Sequence, residues 1–234
     1  MTAPSDTAEA TVESAANAPA ARASDPGYNH YGQKIGSKGE RTRQMLIDTT
    51  VELLESKGLR DVSVVDVARA AKTSPATFYV YFRGVPEVVL AALESASQTS
   101  SELEALAARD WLAEGGQAAA RDFVDAYTQL WNRNRTIFRV RNLAAEEGDM
   151  RFLQSRMEQA APMMDALSAA VARAQAADRL PATLSPRSCA GTLLMMLERL
   201  AAVGPLTREA DGLSYAALKT AAAFSLAAML GASA

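Results

Sequence analysis

A single histidine and a single cysteine are all that this chain of 234 residues offers for imidazole or thiol chemistry. His30 stands in a polar leader and Cys189 in an apolar stretch, and no phosphate-binding glycine loop, metal-ligand cluster or Ser/His/Asp set accompanies them. The sequence therefore argues against an enzyme and calls for no cofactor and no metal. One cysteine also excludes an intramolecular disulfide framework and fits a reducing cytoplasm, with Cys189 read as an inert buried thiol. Excess positive charge is missing too. Lys and Arg number 24 against 27 Asp and Glu, for a net charge of −3, so the protein is no polycation coating nucleic acid. No basic-then-apolar leader opens the chain, and the longest apolar stretch, near Tyr215–Leu230, is interrupted by Lys219 and falls short of a bilayer span. A soluble cytoplasmic protein with no membrane partner is expected. Repeats and strand-like alternation are absent, which leaves an all-α fold.

What is present is concentrated in twenty residues, Ser63 to Phe82. Ser63 suits a helix N-cap, and Asp66 three residues later can reach back to it. Val64, Val67, Ala68 and Ala71 recur at i, i+3, i+4 and i+7, so one face of this helix is buried. Ser74 then caps a second helix with Pro75 at its first position, where a missing N–H costs nothing. Phe78 and Phe82 share an inward face. Upstream, Leu46, Thr50, Leu53 and Leu54 form another stripe, giving a first helix from about 37 to 57, with Gly58 expected as its left-handed terminator. Three helices ending in a short capped one make a helix-turn-helix, whose second motif helix enters the DNA major groove. Residues 37–90 carry eight Lys and Arg against seven Asp and Glu, so binding has to rely on a local face and geometric fit.

This region resembles the DNA-binding domain of TetR-type (tetracycline-repressor-like) transcriptional regulators. The matching residues are the Leu46–Leu54 stripe, Gly58, Ser63 with Val67 and Ala68, and the run Ser74, Thr77, Tyr79, Tyr81, Phe82. The match covers roughly residues 40–100, and the remainder agrees in length and helical character. The family usually has Gly where this chain has Lys72, and a phosphate-binding Lys where it has Val85. By resemblance, Ser63, Tyr79 and Tyr81 hydrogen-bond phosphates, Thr77 touches a phosphate or a base edge, and Val64, Pro75 and Ala76 face bases beside the cap Ser74. Packing against the first helix is the competing role for both tyrosines. Lys38, Arg41 and Arg43 add non-specific attraction or form a solvated face, and Arg83 is the candidate substitute for the absent Lys.

Residues 1–36 lack an apolar stripe and are expected to be a disordered arm, ending in the aromatic and basic run Tyr28 to Lys34. The expected domains are this arm, a DNA-binding domain over 37–95 and an effector-binding and dimerisation domain over 96–234. The latter should hold helices at about 87–109, 118–133, 135–146, 149–177, 186–203 and 213–231. The last helix is apolar nearly all round and its predecessor nearly so. Leu193, Leu197, Leu200, Leu218, Phe224 and Met229 are therefore predicted to form a four-helix homodimer interface, also the family's arrangement. Trp111, Phe123, Tyr127, Trp131, Phe138, Met163, Met164 and Leu167 are candidates for an apolar inducer pocket or plain core. Arg133, Arg135, Arg139 and Arg141 read as a solvated face paired with Glu146 and Glu147, in preference to a grip on an anionic ligand. The resulting expectation is a ligand-responsive repressor on a palindromic double-stranded operator, released by an unidentified small apolar or amphipathic effector. A helical adaptor whose helix-turn-helix binds protein is the alternative.

Overall fold

The computed structural model describes residues 27–97, 101–207 and 213–232. Among these, ten α-helices follow one another without a strand: α1 (Ser37–Ser56), α2 (Val64–Ala70), α3 (Pro75–Tyr81), α4 (Val85–Ser97), α5 (Ser101–Ala107), α6 (Gly116–Arg133), α7 (Arg135–Glu146), α8 (Met150–Ala176), α9 (Pro186–Val203) and α10 (Tyr215–Met229). The single helix expected over 87–109 is two, α4 and α5. The expected arm splits as well. Residues 1–26 lie outside the described residues, whereas 27–36 form a closed turn, with Tyr28 bridged to Lys34 and Ile35 buried.

The helix-turn-helix is assembled from local signals. The Ser63 hydroxyl accepts the Asp66 N–H at 3.1 Å, and the Asp66 carboxylate accepts the Ser63 N–H at 3.1 Å, a complete capping box on α2. The Ser74 hydroxyl likewise accepts the Thr77 N–H at 3.1 Å, ahead of Pro75 at the start of α3. Seven-residue helices do not persist alone. Val67 and Ala68 of α2 and Phe78 of α3 are buried against α1, with Phe82 just beyond α3 and its ring 5.9 Å from that of Phe78.

The turn between α2 and α3 is left-handed at Lys72, with φ of 53°. The Lys72 and Thr73 N–H groups return to the carbonyls of Arg69 (3.1 Å) and Ala68 (2.9 Å), the paired bonds that end a helix through a left-handed residue. Gly58 was expected to do the same for α1 and does not. Its φ is −74° and ψ 160°, and α1 ends at an extended Lys57. The glycine instead leaves room for Asp61, whose Oδ2 would lie 3.0 Å from a Cβ at that position.

Two apolar cores follow. The first runs from Leu46, Leu54, Phe78 and Phe82 through α4 into Trp131, Phe138 and Phe152, crossing the boundary expected near residue 95 without a break. The second joins α5, α6, α8, α9 and α10 around Trp111, Phe123, Leu167, Leu193 and Leu226, and takes in Cys189. Pro186–Leu206, which is α9 with a short 3-10 turn, is the one described helical stretch long and apolar enough to cross a bilayer. Here it packs on α8 and α6 and carries the carboxylate of Glu198 into the interior.

A non-glycine residue in the left-handed region costs about 1–2 kcal/mol, and glycine returns part of that through unfolded-state entropy of about 0.4–1 kcal/mol. Lys72→Gly is thus expected to stabilise the protein by about 0.5 kcal/mol, read as a small rise in the urea midpoint. A lower midpoint would show that the Lys72 side chain stabilises the turn.

Candidate DNA interface and effector cavity

Exposure sorts the expected DNA contacts. Ser74, Pro75, Ala76 and Tyr79 are exposed along the outer side of α3, and Arg83, Lys38 and Arg41 are exposed around it. Thr77 is half-buried, its hydroxyl 3.0 Å from that of Ser74. Ser63 is exposed, but its hydroxyl proton is donated to Asp66 at 2.6 Å, so that donor is engaged within the cap. That bond, and then the Ser63 N–H donated to the same carboxylate, hold the Asp66 carboxyl below its ordinary range.

Three expectations are corrected here. Val64 packs on the first core, and Val65 is the exposed apolar residue of α2, at 50 %. The helical repeat already put Val64 on the buried face with Val67, Ala68 and Ala71; the base-facing role came from the resemblance alone. Tyr81 packs partly into the same core, with its hydroxyl against Gly39 of α1, whereas Tyr79 at 46 % exposure faces out. Arg43 lies over the Phe82 ring at 5.2 Å, and burial lowers the pKa of its guanidinium, partly offset by Glu94 and Glu87. It braces α1 on the core rather than presenting charge outward. Val85, at the position of the family's usual lysine, is buried.

The turn at residues 27–36, expected as the end of a solvated leader with a path along DNA as the alternative, is fastened beside this face. Asn29 closes it, accepting the Tyr31 and Gln33 N–H groups at 3.0 and 2.8 Å. The His30 N–H donates to the carbonyl of Val80 at 3.1 Å, tying the turn to the end of α3. Tyr31 and Lys34 are exposed beside it. The aromatic and basic character of this run was the one signal in the sequence.

Behind the reading helices, α4, α6, α7, α8 and α9 line a partly open cavity of about 100 Å3. Tyr127, Trp131, Phe138 and Met163 line it, with Leu130 and Leu194. Trp111, Phe123 and Leu167 do not. They are buried in the second core, with the Trp111 and Phe123 rings edge to face at 6.0 Å, and Met164 packs there too. A stripe at i, i+4 and i+8 along α6 rotates slowly, so Phe123 and Trp131 reach different cores.

The main departure is Arg141. It was read as part of a solvated face, yet it is 6 % exposed and lines the cavity. Its Nη2 donates to Glu198 Oε1 at 3.1 Å, its Nη1 to Gln159 Oε1 at 2.9 Å, and its guanidinium lies 4.7 Å over the Phe138 ring. Glu198 also accepts from Asn142 at 2.8 Å and from Arg156. Burial lowers the Arg141 pKa and the Glu198 carboxylate opposes the shift. Burial, reinforced by the Glu198 carboxylate, pushes the Tyr127 phenol up, so it remains protonated. The Trp131 Nε1–H is buried with no protein acceptor in reach, at a cost of about 1–3 kcal/mol. Of the other arginines, Arg135 donates to the carbonyls of Ala201 and Ala202 at 3.0 Å each, and Arg139 to that of Leu54 at 2.9 Å. Glu147 pairs with Arg60 at 3.0 Å.

The expected dimer residues divide likewise. Leu193 and Leu197 are fully buried within the subunit, Leu200 and Met229 are half-buried against the same core, and Leu218 is half-buried. Phe224, at 63 %, stands outward, joined on the outer faces of α9 and α10 by Met195 at 64 % and by Ala217, Ala221 and Ala228. A helix apolar on every side carries no phase information, so the sequence could not assign its faces.

A capped helix-turn-helix joined through one core to a helical half, whose largely apolar cavity carries a charged cluster at its wall, is the architecture of one-chain DNA-binding regulators. The comparisons agree. The sequence model of bacterial regulatory proteins of the tetR family matches residues 46–92, and that of the tetracyclin repressor-like C-terminal domain matches 103–233. This protein belongs to the TetR family of transcriptional regulators. No curated protein matches it in sequence. Among solved structures, the fatty acid degradation regulator FadR from Bacillus halodurans is similar at a TM-score of 0.60 and 14 % identity, over 85 % of this chain and 97 % of that one. Salmonella enterica GusR gives 0.60 at 16 %, over 85 % and 97 %. FadR from Bacillus subtilis in complex with stearoyl-CoA gives 0.59 at 14 %, over 80 % and 96 %. At these identities the likeness is one of fold.

Removing one partner of a buried ion pair costs about 3–5 kcal/mol. Glu198→Gln is expected to destabilise the protein by that order in urea unfolding, and the double change with Arg141→Met to recover most of it. An unchanged midpoint in the single variant would contradict a buried, paired Arg141.

Proposed function

We propose that this TetR-family member is a ligand-responsive, sequence-specific DNA-binding repressor that acts as a homodimer in the cytoplasm and leaves a palindromic operator when a small effector fills the cavity. The observation that carries the reading is the shared helix α4. Its first part packs on the helix-turn-helix, its Ala96 lines the cavity, and its Leu93 carbonyl accepts the Gln159 Nε2–H at 3.0 Å. Gln159 in turn accepts from Arg141, so an effector that displaces this network pulls on the element that positions the reading head. Residues 37–95 serve as the DNA-binding part and 96–234 as the sensing and dimerising part, although one core spans both.

Pro75, Ala76 and Thr77 are assigned to the base-facing end of α3, with Tyr79 on a phosphate. Arg83, Lys38 and Arg41 supply backbone attraction in place of the buried Val85. The outward face of Phe224, Met195 and the α10 alanines supplies a self-complementary surface about a two-fold axis, which sets two reading helices on one side of the duplex. We assign the protein no catalytic activity.

Selection of bound sequences from a random DNA pool, followed by mobility shift, tests this reading. Enrichment of an inverted repeat is expected, and no sequence-selective binding by the intact dimer at moderate salt sinks it. Tyr79→Phe should weaken all sequences alike by about tenfold or more, because it removes a hydrogen bond to a charged phosphate of about 1.5–3 kcal/mol. Ala76 substitutions should change which bases are preferred. A Tyr79→Phe variant with altered preference would place that residue on a base instead.

A further inference from the structure

We propose that the effector is a small monocarboxylate with an apolar body, no larger than a single ring or a chain of a few carbons. The inference rests on the regulator reading above and specifies the chemistry of its cavity. Size is the first constraint. Drug-sized ligands occupy about 300–1,000 Å3, whereas this cavity measures about 100 Å3. An apolar cavity of about 150 Å3 accepts benzene, so this smaller one seats a short chain as it stands and a single ring with a small shift of its walls, whereas most of a long acyl chain would remain outside. The stearoyl-CoA held by the Bacillus subtilis regulator belongs to a different size class.

Charge is the second constraint. Arg141, Arg156 and Glu198 are the ionised groups of the lining, so it carries a net +1 that one carboxylate balances. Arg141 commits three of its five N–H donors, with Nε on Asn142 (3.1 Å), Nη1 on Gln159 (2.9 Å) and Nη2 on Glu198 (3.1 Å), and burial holds it in place. Arg156 is the adaptable partner. Its side chain is 34 % exposed and bonds Glu198 through Nη2, which leaves its planar fork able to turn toward an incoming carboxylate. The third observation is independent of charge. The buried Trp131 Nε1–H lacks an acceptor on a residue that lines the cavity, and a carboxylate oxygen supplies one. Phe138, Leu130, Met163 and Leu194 provide the apolar seat for the body. A cationic ligand meets two guanidinium groups, and a neutral alcohol leaves the excess charge unmatched.

Isothermal titration of the full-length protein with benzoate, phenylacetate, hexanoate, benzyl alcohol, benzylamine and lauroyl-CoA tests the proposal. At least one of the three carboxylates should bind once per chain and at least tenfold tighter than benzyl alcohol, with benzylamine and lauroyl-CoA silent. Arg156→Gln, at a partly exposed site, should weaken that carboxylate at least tenfold and leave benzyl alcohol within threefold. Trp131→Phe should weaken it severalfold, with the thermal melt of each variant confirming folding. Silence from all three carboxylates overturns the proposal, as does equal binding of the alcohol, tight binding of lauroyl-CoA, or an unaltered Arg156→Gln. Operator binding by the same ligand-free preparation is scored separately. Its loss defeats the regulator reading, whereas failure of the carboxylates alone defeats only this inference.

Discussion

Nearly every side of α4 is buried, and the rest of the molecule is arranged around that fact. Val85, Val88, Val89, Ala91, Ala92, Leu93 and Ala96 are all inside, so the helix touches α1 on one side and α7 and α8 on another. A helix packed all round cannot slide without repacking its neighbours, because interiors are dense and respond in discrete steps. The helix-turn-helix and the cavity are consequently two ends of one core. Two polar contacts reinforce the join from outside α4: Arg139 on the Leu54 carbonyl, and Arg60 with Glu147. The second of these is largely exposed and adds about 0–1 kcal/mol.

Within this frame the buried ions are informative because they are costly. Arg141 and Glu198 would be replaced by apolar residues at little loss if packing alone mattered. They sit at the wall of a cavity, each satisfied by several partners, and reach α4 through Gln159. A network of this kind has a defined arrangement without ligand, and a reason to change when a new acceptor enters. The proline of α8, Pro162, stands between the lining residues Ala160 and Met163. It removes one backbone donor from the helix ladder at this wall, where the chain is most easily bent.

How much was legible in the sequence depended on the range of the interactions. The caps at Ser63 and Ser74 and the proline at 75 are contacts between residues a few positions apart, and each stands where the pattern put it; the left-handed turn at Lys72 was hinted at only by the glycine usual there in the family. The all-α class followed from helical periodicity for the same reason. The cavity was legible only in part. Tyr127, Trp131 and Phe138 line it, but the charged members come from α7, α8 and α9, and no local rule pairs Arg141 with Glu198 across 57 positions. Where apolar residues surround a helix, as in α10, the pattern says that it is buried without saying by what. Leu193 and Leu197 therefore turned inward and Phe224 outward. The turn at residues 27–36 was hidden because a single buried side chain, Ile35, and one backbone bond to Val80 fasten it.

Coupling of the cavity to the reading head through α4 is the central claim, and filling the cavity from within tests it without a ligand. Ala160 lines the cavity on α8, and Ala160→Phe places a ring where an effector body would lie. The decisive quantity is the operator dissociation constant of this variant beside that of the unaltered protein, at one salt concentration and with dimer and thermal melt intact. Allosteric coupling is typically about 1–3 kcal/mol, so the account predicts operator binding weakened by about tenfold or more. Unchanged operator affinity in a folded, dimeric Ala160→Phe protein would contradict it.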